Sequence, residues 1–230
     1  LEDIRLYGTG GGLTDEGVRH LASNQGLKRL SVYEADCAGA FLADLAGCPL
    51  VELSLKGGGS AQTHLQDEHA ANLSAWKKTL QRLDLDSPEL GSLGLEAIGS
   101  LEELLRLDLN GCSGLSDADC VPLQKLSRLT HLVLRDTGAG DQTVAALAGK
   151  LDDLEQLQMG SEALTDKGME SISRLLSLDN LTLEDKAVHV TDAGVWNLER
   201  LQRLRYLCLR VPGITGEGLA AIVNMSELND

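Results

Sequence analysis

The chain has 230 residues, 43% of them hydrophobic and 24% charged, and its formal charge at neutral pH is −15. That charge excludes a phosphate-backbone partner unless the basic residues segregate strongly, and no run of ~18 apolar residues is present to cross a bilayer. Aromatic residues amount to 3%, so leucine and alanine have to build the core.

Taken in order, the chain restarts the same pattern at Leu1, Leu27, Leu50, Leu80, Leu104, Leu129, Leu154, Leu178 and Leu204, with a tenth start at Leu228 and spacings of 23–30 residues. Each start is followed at offsets +3 and +5 by an apolar pair. These are Ile4/Leu6, Leu30/Val32, Leu53/Leu55, Leu83/Leu85, Leu107/Leu109, Leu132/Leu134, Leu157/Met159, Leu181/Leu183 and Leu207/Leu209. Alternation of this kind predicts a short strand with one buried face. Every unit runs the same way, so the strands are expected to be parallel and each return to be a crossover. A unit of ~25 residues cannot bury its own apolar face, and stability has to come from stacking. The expectation is one solenoid domain over residues 1–230. Neither end carries the polar cap that a solenoid needs, so the chain reads as a piece of a longer protein.

The second half of each unit has a recurrent helix start: Leu13-Thr-Asp-Glu-Gly17, Leu164-Thr-Asp-Lys-Gly168, Val190-Thr-Asp-Ala-Gly194 and Ile214-Thr-Gly-Glu-Gly218. Thr is a good N-cap and the acidic residue suits the positive end of a helix dipole. The glycine costs helix propensity, which points to close packing against the neighbouring unit. The second unit is degenerate, with Cys37 in the position before the cap. Cys37 and Cys120 are then expected in the core, where a free thiol packs as a small hydrophobe. The third unit is long, and its excess includes Gly57–His64, expected to be a flexible loop between strand and helix.

Chemistry-bearing residues are sparse. His64, Asp67, Glu68 and His69 lack metal-ligand spacing, and the acidic pair aligns with the helix starts of other units. Gly57-Gly58-Gly59 lacks the Lys-Ser/Thr of a phosphate loop, and no nucleophile elbow or Cys-x-x-Cys pair is present. Asp84, Asp86 and Asp108 lie at matching strand offsets with Arg82 and Arg106 one position away, so neutralisation is expected rather than acid–base catalysis. No catalytic residue, metal ligand or cofactor is assigned, and the chain is read as no enzyme. The five cysteines (37, 48, 112, 120 and 208) are odd in number and scattered, which favours reduced thiols and a cytoplasmic location. Three Asn-x-Ser/Thr triplets, at Asn72, Asn180 and Asn224, arise easily by chance in such a composition.

The order Leu-x-x-Leu-x-Leu-x-x-Cys in Leu104–Cys112, followed by Leu/Ile-Thr-Asp-x-Gly-Leu-x-x-Leu, resembles the cysteine-containing class of leucine-rich repeats. The helix half matches at 13–21, 164–172, 190–198 and 214–222, and the Cys position matches at Cys112. The resemblance implies a horseshoe with a parallel concave sheet and convex helices. Its best-known members, the F-box substrate receptors, imply a second role as the substrate-recognition arm of a ubiquitin ligase. The adaptor would then bind through a segment outside this chain.

Offsets +2, +4 and +6 of each unit point opposite to the buried pair, onto the concave face. All three tyrosines of the chain fall there (Tyr7, Tyr33 and Tyr206), as do Arg5, Arg29, Arg82, Arg106, Arg135, Arg210 and Lys56. Against these seven positive charges stand Asp3, Glu52, Asp84, Asp86, Asp108 and Glu184, so the face carries +1 and the rest of the chain −16. Tyr and Arg dominate binding hot spots. A protein partner is therefore expected on this face. Tyr7, Tyr33, Arg5 and Arg29 are the expected first anchor, and Tyr206 with Arg210 and Arg135 the second.

Overall fold

Apolar pairs at +3 and +5 in every unit can all be buried together if the strands lie side by side in one direction with the same face inward. The computed structural model, which describes residues 1–8, 12–57 and 64–223, has this arrangement. Nine strands form one parallel sheet in sequence order: β1 (Asp3–Tyr7), β2 (Arg29–Tyr33), β3 (Glu52–Lys56), β4 (Arg82–Leu85), β5 (Arg106–Asp108), β6 (His131–Arg135), β7 (Gln156–Gly160), β8 (Asn180–Leu183) and β9 (Tyr206–Leu209). The +3 residues pair in one unbroken line from Ile4 through Leu30, Leu53, Leu83, Leu107, Leu132, Leu157 and Leu181 to Leu207. Those of β2 to β8 are buried, each contributing roughly 2 kcal/mol over an exposed leucine. Ile4 and Leu207 are only partly buried, because among the described residues β1 and β9 each have one neighbouring strand. The protein is an α/β leucine-rich repeat solenoid, with nine strand units among the described residues.

The returns are short: α1 (Asp15–Arg19), α2 (Phe41–Asp44), α3 (Asp67–Ala70), α4 (Ser92–Gly99), α5 (Asp141–Leu147), α6 (Asp166–Ile172), α7 (Asp192–Trp196) and α8 (Gly216–Ile222). Several continue as a 3-10 turn, and the fifth unit returns through a 3-10 segment alone, Val121–Lys125. Pro122 accounts for that, since it has no N–H to bond back to the carbonyl four residues earlier.

The Thr-Asp-x-Gly start has an explanation that its own helix does not supply. These Asp carboxylates, and Asp141 at the same place in the sixth unit, reach forward to the next unit, Asp15 to the N–H groups of Ala38, Gly39 and Phe41. Asp141 accepts the N–H and hydroxyl of Thr165 at 2.9 and 2.7 Å. Asp166 does the same for Thr191, at 2.7 Å each, and Asp192 for Thr215, at 2.8 and 2.6 Å. The threonine hydroxyl in turn accepts an N–H of its own helix, from Lys167, Ala193 or Glu217. Thr14, with no unit before it among the described residues, makes no such cap. The glycine leaves room for the incoming carboxylate. A Cβ on Gly168, Gly194 or Gly218 would lie 2.4, 2.4 or 2.3 Å from the preceding Asp Oδ1. In the sixth unit Thr143 occupies the glycine position, and its hydroxyl donates to Asp117 Oδ1 at 2.6 Å. The acidic residue is thus chiefly a cap for its neighbour.

Two junctions lack this link. Gly39 stands at the Asp position of the second unit, and there His69 Nδ1 meets the Ala38 carbonyl at 3.0 Å instead. Ser92 stands there in the fourth, and the fifth unit caps itself through Ser116 and Asp119 at 2.6 Å.

Cys37, Cys48, Cys112 and Cys120 are buried, and all five thiols are unpaired. Burial pushes Cys37, Cys112 and Cys120 up to about 12. Cys112 accepts the Ser87 N–H at 3.4 Å, bridging two units beneath the sheet edge. Trp76 was not singled out in the sequence, yet it is buried, with its indole N–H donating to the Cys48 carbonyl at 2.9 Å. The expected flexible loop lies, apart from Gly57 and His64, outside the described residues, as does the tenth start at Leu228. No helix among the described residues is long and apolar enough to cross a membrane.

Candidate functional site on the concave face

Because side chains alternate along a strand, burying +3 and +5 obliges +2, +4 and +6 to share the opposite face. Tyr7 and Tyr33 are register partners on β1 and β2. Their rings stack with centroids 5.0 Å apart and planes at 20°, and Tyr7 remains 61% exposed. Strand propensity explains tyrosines on a sheet. Two stacked in register at one rim also form an aromatic surface, exposed at Tyr7 and half-buried at Tyr33.

Beside this pair the +4 row reads Arg5, Ser31, Ser54, Asp84. The small side chains of Ser31 and Ser54 open a depression of about 180 Å³ between Arg5, Tyr33, Glu52, Arg82 and Asp84. Arg29, the fourth member of the expected first anchor, is held by Asp3, with Nε to Oδ2 at 3.0 Å. That hydrogen bond raises the Arg29 pKa.

Most of the other charges on this face are matched internally. Arg82 bonds Asp84 at 3.0 Å, as the neutralisation reading expected. Asp108, however, is taken by Lys56 at 2.5 Å, from two strands away, and not by Arg106. Asp86 accepts the Gly57 N–H at 3.0 Å. His131, next to Arg106 in register, is lowered in pKa by burial and then by the Arg106 charge.

The second expected anchor is arranged differently. Tyr206 is 42% exposed, but it starts β9 while Arg210 follows its end, ~13 Å further along the strand direction. Arg210 joins Arg135 instead. Both donate to Glu184, whose two oxygens lie 3.4 Å from Arg135 and 3.3 Å from Arg210. Gly160 makes this possible, since a Cβ there would lie 2.7 Å from Glu184 Cβ. Asn110, Arg135, Gly160, Glu184, Asp185 and the ion-paired Asp136 and Lys186 (2.5 Å) line a second depression of about 170 Å³. The Arg135 Nε is buried there without an acceptor. The sequence signal for this network is the one glycine in the +6 row, Gly160.

The residues weighed as metal ligands are occupied otherwise. Asp67 accepts the N–H groups of Gly91, Leu93 and Gly94 at 2.8, 3.1 and 2.7 Å, while His64 Nδ1 lies 3.2 Å from Glu89. Among the described residues no three His, Cys, Asp or Glu side chains are grouped to hold a metal ion.

No family model and no curated protein matches the chain. Solved structures do. The chain is similar to internalin C2 of Listeria monocytogenes, with 20% identity over 95% of this chain and 75% of that one, at a TM-score of 0.56. It also aligns with an internalin, InlF, of the same organism, with 14% identity over 92% and 74% of the two chains, at a TM-score of 0.45. At such identities the first likeness bears on the fold, and it agrees with the repeat solenoid read from the sheet.

Proposed function

We propose that the protein is a non-catalytic interaction module that takes a protein partner on the concave face of its sheet. The observation that carries this reading is the stacked pair of exposed Tyr7 and half-buried Tyr33 beside the serine-floored depression and Arg5. It combines flat aromatic area with hydrogen-bonding groups, as hot-spot surfaces do. Arg29 completes this first anchor. Arg135 and Arg210, held about Glu184, form a second, and Tyr206 adds a separate contact at the other rim. The five unpaired thiols go with a reducing, cytoplasmic setting. The narrower role as a ubiquitin-ligase substrate arm rests on the repeat resemblance alone. The Thr-Asp-x-Gly start that carries much of that resemblance serves unit stacking here and bears no partner information.

The test is to replace Tyr7 and Tyr33 by alanine and measure capture of partners from a lysate together with the melting temperature. Capture is expected to be lost. Neither tyrosine lies in the core, and the stacked rings contribute about 0.5–1.5 kcal/mol, so Tm should fall by no more than ~6 °C with the fold retained. If capture survives this change and fails instead when Arg19 or Trp196 on the convex returns is replaced, the binding face lies on the other side.

A further inference from the structure

The ion pairs of the concave face leave a remainder with a pattern. Asp3 is matched to Arg29, Lys56 to Asp108, Arg82 to Asp84, and Arg135 with Arg210 to Glu184, while Asp86 holds the Gly57 N–H. Among the described residues three concave-face charges have no ion-pair partner within 4 Å: Arg5 on β1, Arg106 on β5, and Glu52 on β3, which lies in register between Arg29 and Arg82 and acts on Arg29 only at longer range. Their signs alternate, and each is two strands from the next. At ~4.8 Å per strand the Glu52–Arg106 backbone spacing is about 10 Å, and Arg5, two residues further along its strand, is about 12 Å from Glu52.

We infer that the partner crosses the strands as an α-helix that presents an acidic, a basic and an acidic side chain one heptad apart, against Arg5, Glu52 and Arg106. This deepens the concave-face reading and rests on it. Seven helical residues rise about 10.5 Å, which matches the two-strand interval within the reach of Glu, Lys and Arg side chains. Two heptads on one side of a helix bring the same face to all three positions. The surface favours order over net charge: a uniformly acidic segment would meet Glu52 and the surrounding negative chain, and a uniformly basic one Arg5 and Arg106. Tyr7 and Tyr33, at the rim beside Arg5, would pack on apolar residues of the same helix face. Complementary charges of this kind select a partner and its direction more than they hold it.

The test is a selection with displayed helical peptides of three heptads. Their three in-line positions are randomised among Asp, Glu, Lys, Arg and Ser, with a fixed leucine beside them. The peptides are panned at low salt on the intact protein and on R5E/E52K/R106E. Acid–base–acid order should enrich at least tenfold over base–acid–base on the natural protein, and the preference should invert on the triple variant. All three substituted side chains are solvent-facing. If the triple variant nevertheless lost its circular dichroism signal, E52K alone must switch the middle position from basic to acidic. Enriched clones without a charge order, but lost on replacing Tyr7 and Tyr33 by alanine, would overturn the charge pattern and leave the concave face standing. Clones indifferent to both changes would overturn both readings. No enrichment over bare support would overturn the helical partner.

Discussion

Replacing Gly194 by alanine isolates the link between units. In a free helix the change would stabilise by about 0.5–1 kcal/mol, because alanine loses less backbone entropy. Here the new methyl would lie 2.4 Å from Asp166 Oδ1, 2.9 Å from Met169 Cγ and 3.3 Å from Asp166 Cα. The carboxylate must shift, which weakens or breaks the hydrogen bonds from the Thr191 N–H and hydroxyl, both 2.7 Å, where Asp117 and Asp15 are placed to keep theirs beside Thr143 and Phe41. Two charge-assisted bonds at a partly solvated site are worth about 1 kcal/mol each, and local overpacking adds 1–3 kcal/mol. With both bonds broken, the net loss after the propensity gain is about 2–4.5 kcal/mol, or roughly 4–18 °C in Tm for a chain of this size. The internal control is Gly17, at the same place in the first unit, where a Cβ would meet only Leu13 Cδ1 at 3.6 Å. Gly17→Ala should therefore stabilise by about 0.5–1 kcal/mol. Urea unfolding followed by circular dichroism reads both, and Asp166→Ala combined with Gly194→Ala should show a coupling above about 1 kcal/mol. A Gly194→Ala protein as stable as the natural one would refute the account.

The same carboxylates set an acid limit. Burial opposes the charge of Asp117, yet the Thr143 hydroxyl and the N–H groups of Gln142, Thr143 and Gly140 outweigh it and hold its pKa below 3.8. Asp192 is likewise lowered, chiefly by the Thr215 hydroxyl. A depressed folded pKa gives stability that is present above 3.8 and lost as the pH falls through the folded value. Unfolding free energy should thus decline below about pH 4, with a shallower slope for Asp117→Asn. Thiol titration with an aromatic disulfide should find one reactive cysteine in the native protein, Cys208, and five in denaturant, because Cys37, Cys48, Cys112 and Cys120 are buried with raised pKa values. Fast reaction of a second native thiol would place one of these outside the core.

Strand register was legible because period-two burial leaves no freedom: a slip by one residue would turn Leu132 and Leu134 outward and His131 and Val133 in. The concave-face residues followed from the same parity, which is why Tyr7 and Tyr33 could be placed together. What remained hidden were interactions between units and across strands. Nothing local to Asp166 says that it caps Thr191, 25 residues on, and a dipole argument within one helix gives its acidity a plausible but secondary reason. Lys56 reaching Asp108, 52 residues away, and Glu184 serving two arginines depend on side-chain reach over neighbouring strands. The pattern of a single unit does not encode that reach.

The aspartate-to-glycine contact also makes the later units exchangeable parts with a matching rule at their joints. From Asp117 onward a unit offering Asp is followed by one with Gly or hydroxyl-bearing Thr three positions into its return, as Asp141 meets Gly168 and Asp117 meets Thr143, whereas at the first joint Asp15 accepts the Phe41 N–H in that place. Removing residues 154–177 would set Asp141 before Gly194, a matched joint, and shorten the horseshoe by one strand without orphaning a carboxylate. Removing residues 178–203 would likewise set Asp166 before Gly218. The mismatched joints are those after Gly39 and Ser92, where the junction is carried by other groups and no such rule binds the next unit. Length can thus change within the run from Asp117 to Gly218 by whole units, and each change moves Tyr206 and Arg210 nearer to, or farther from, the tyrosine pair on β1 and β2.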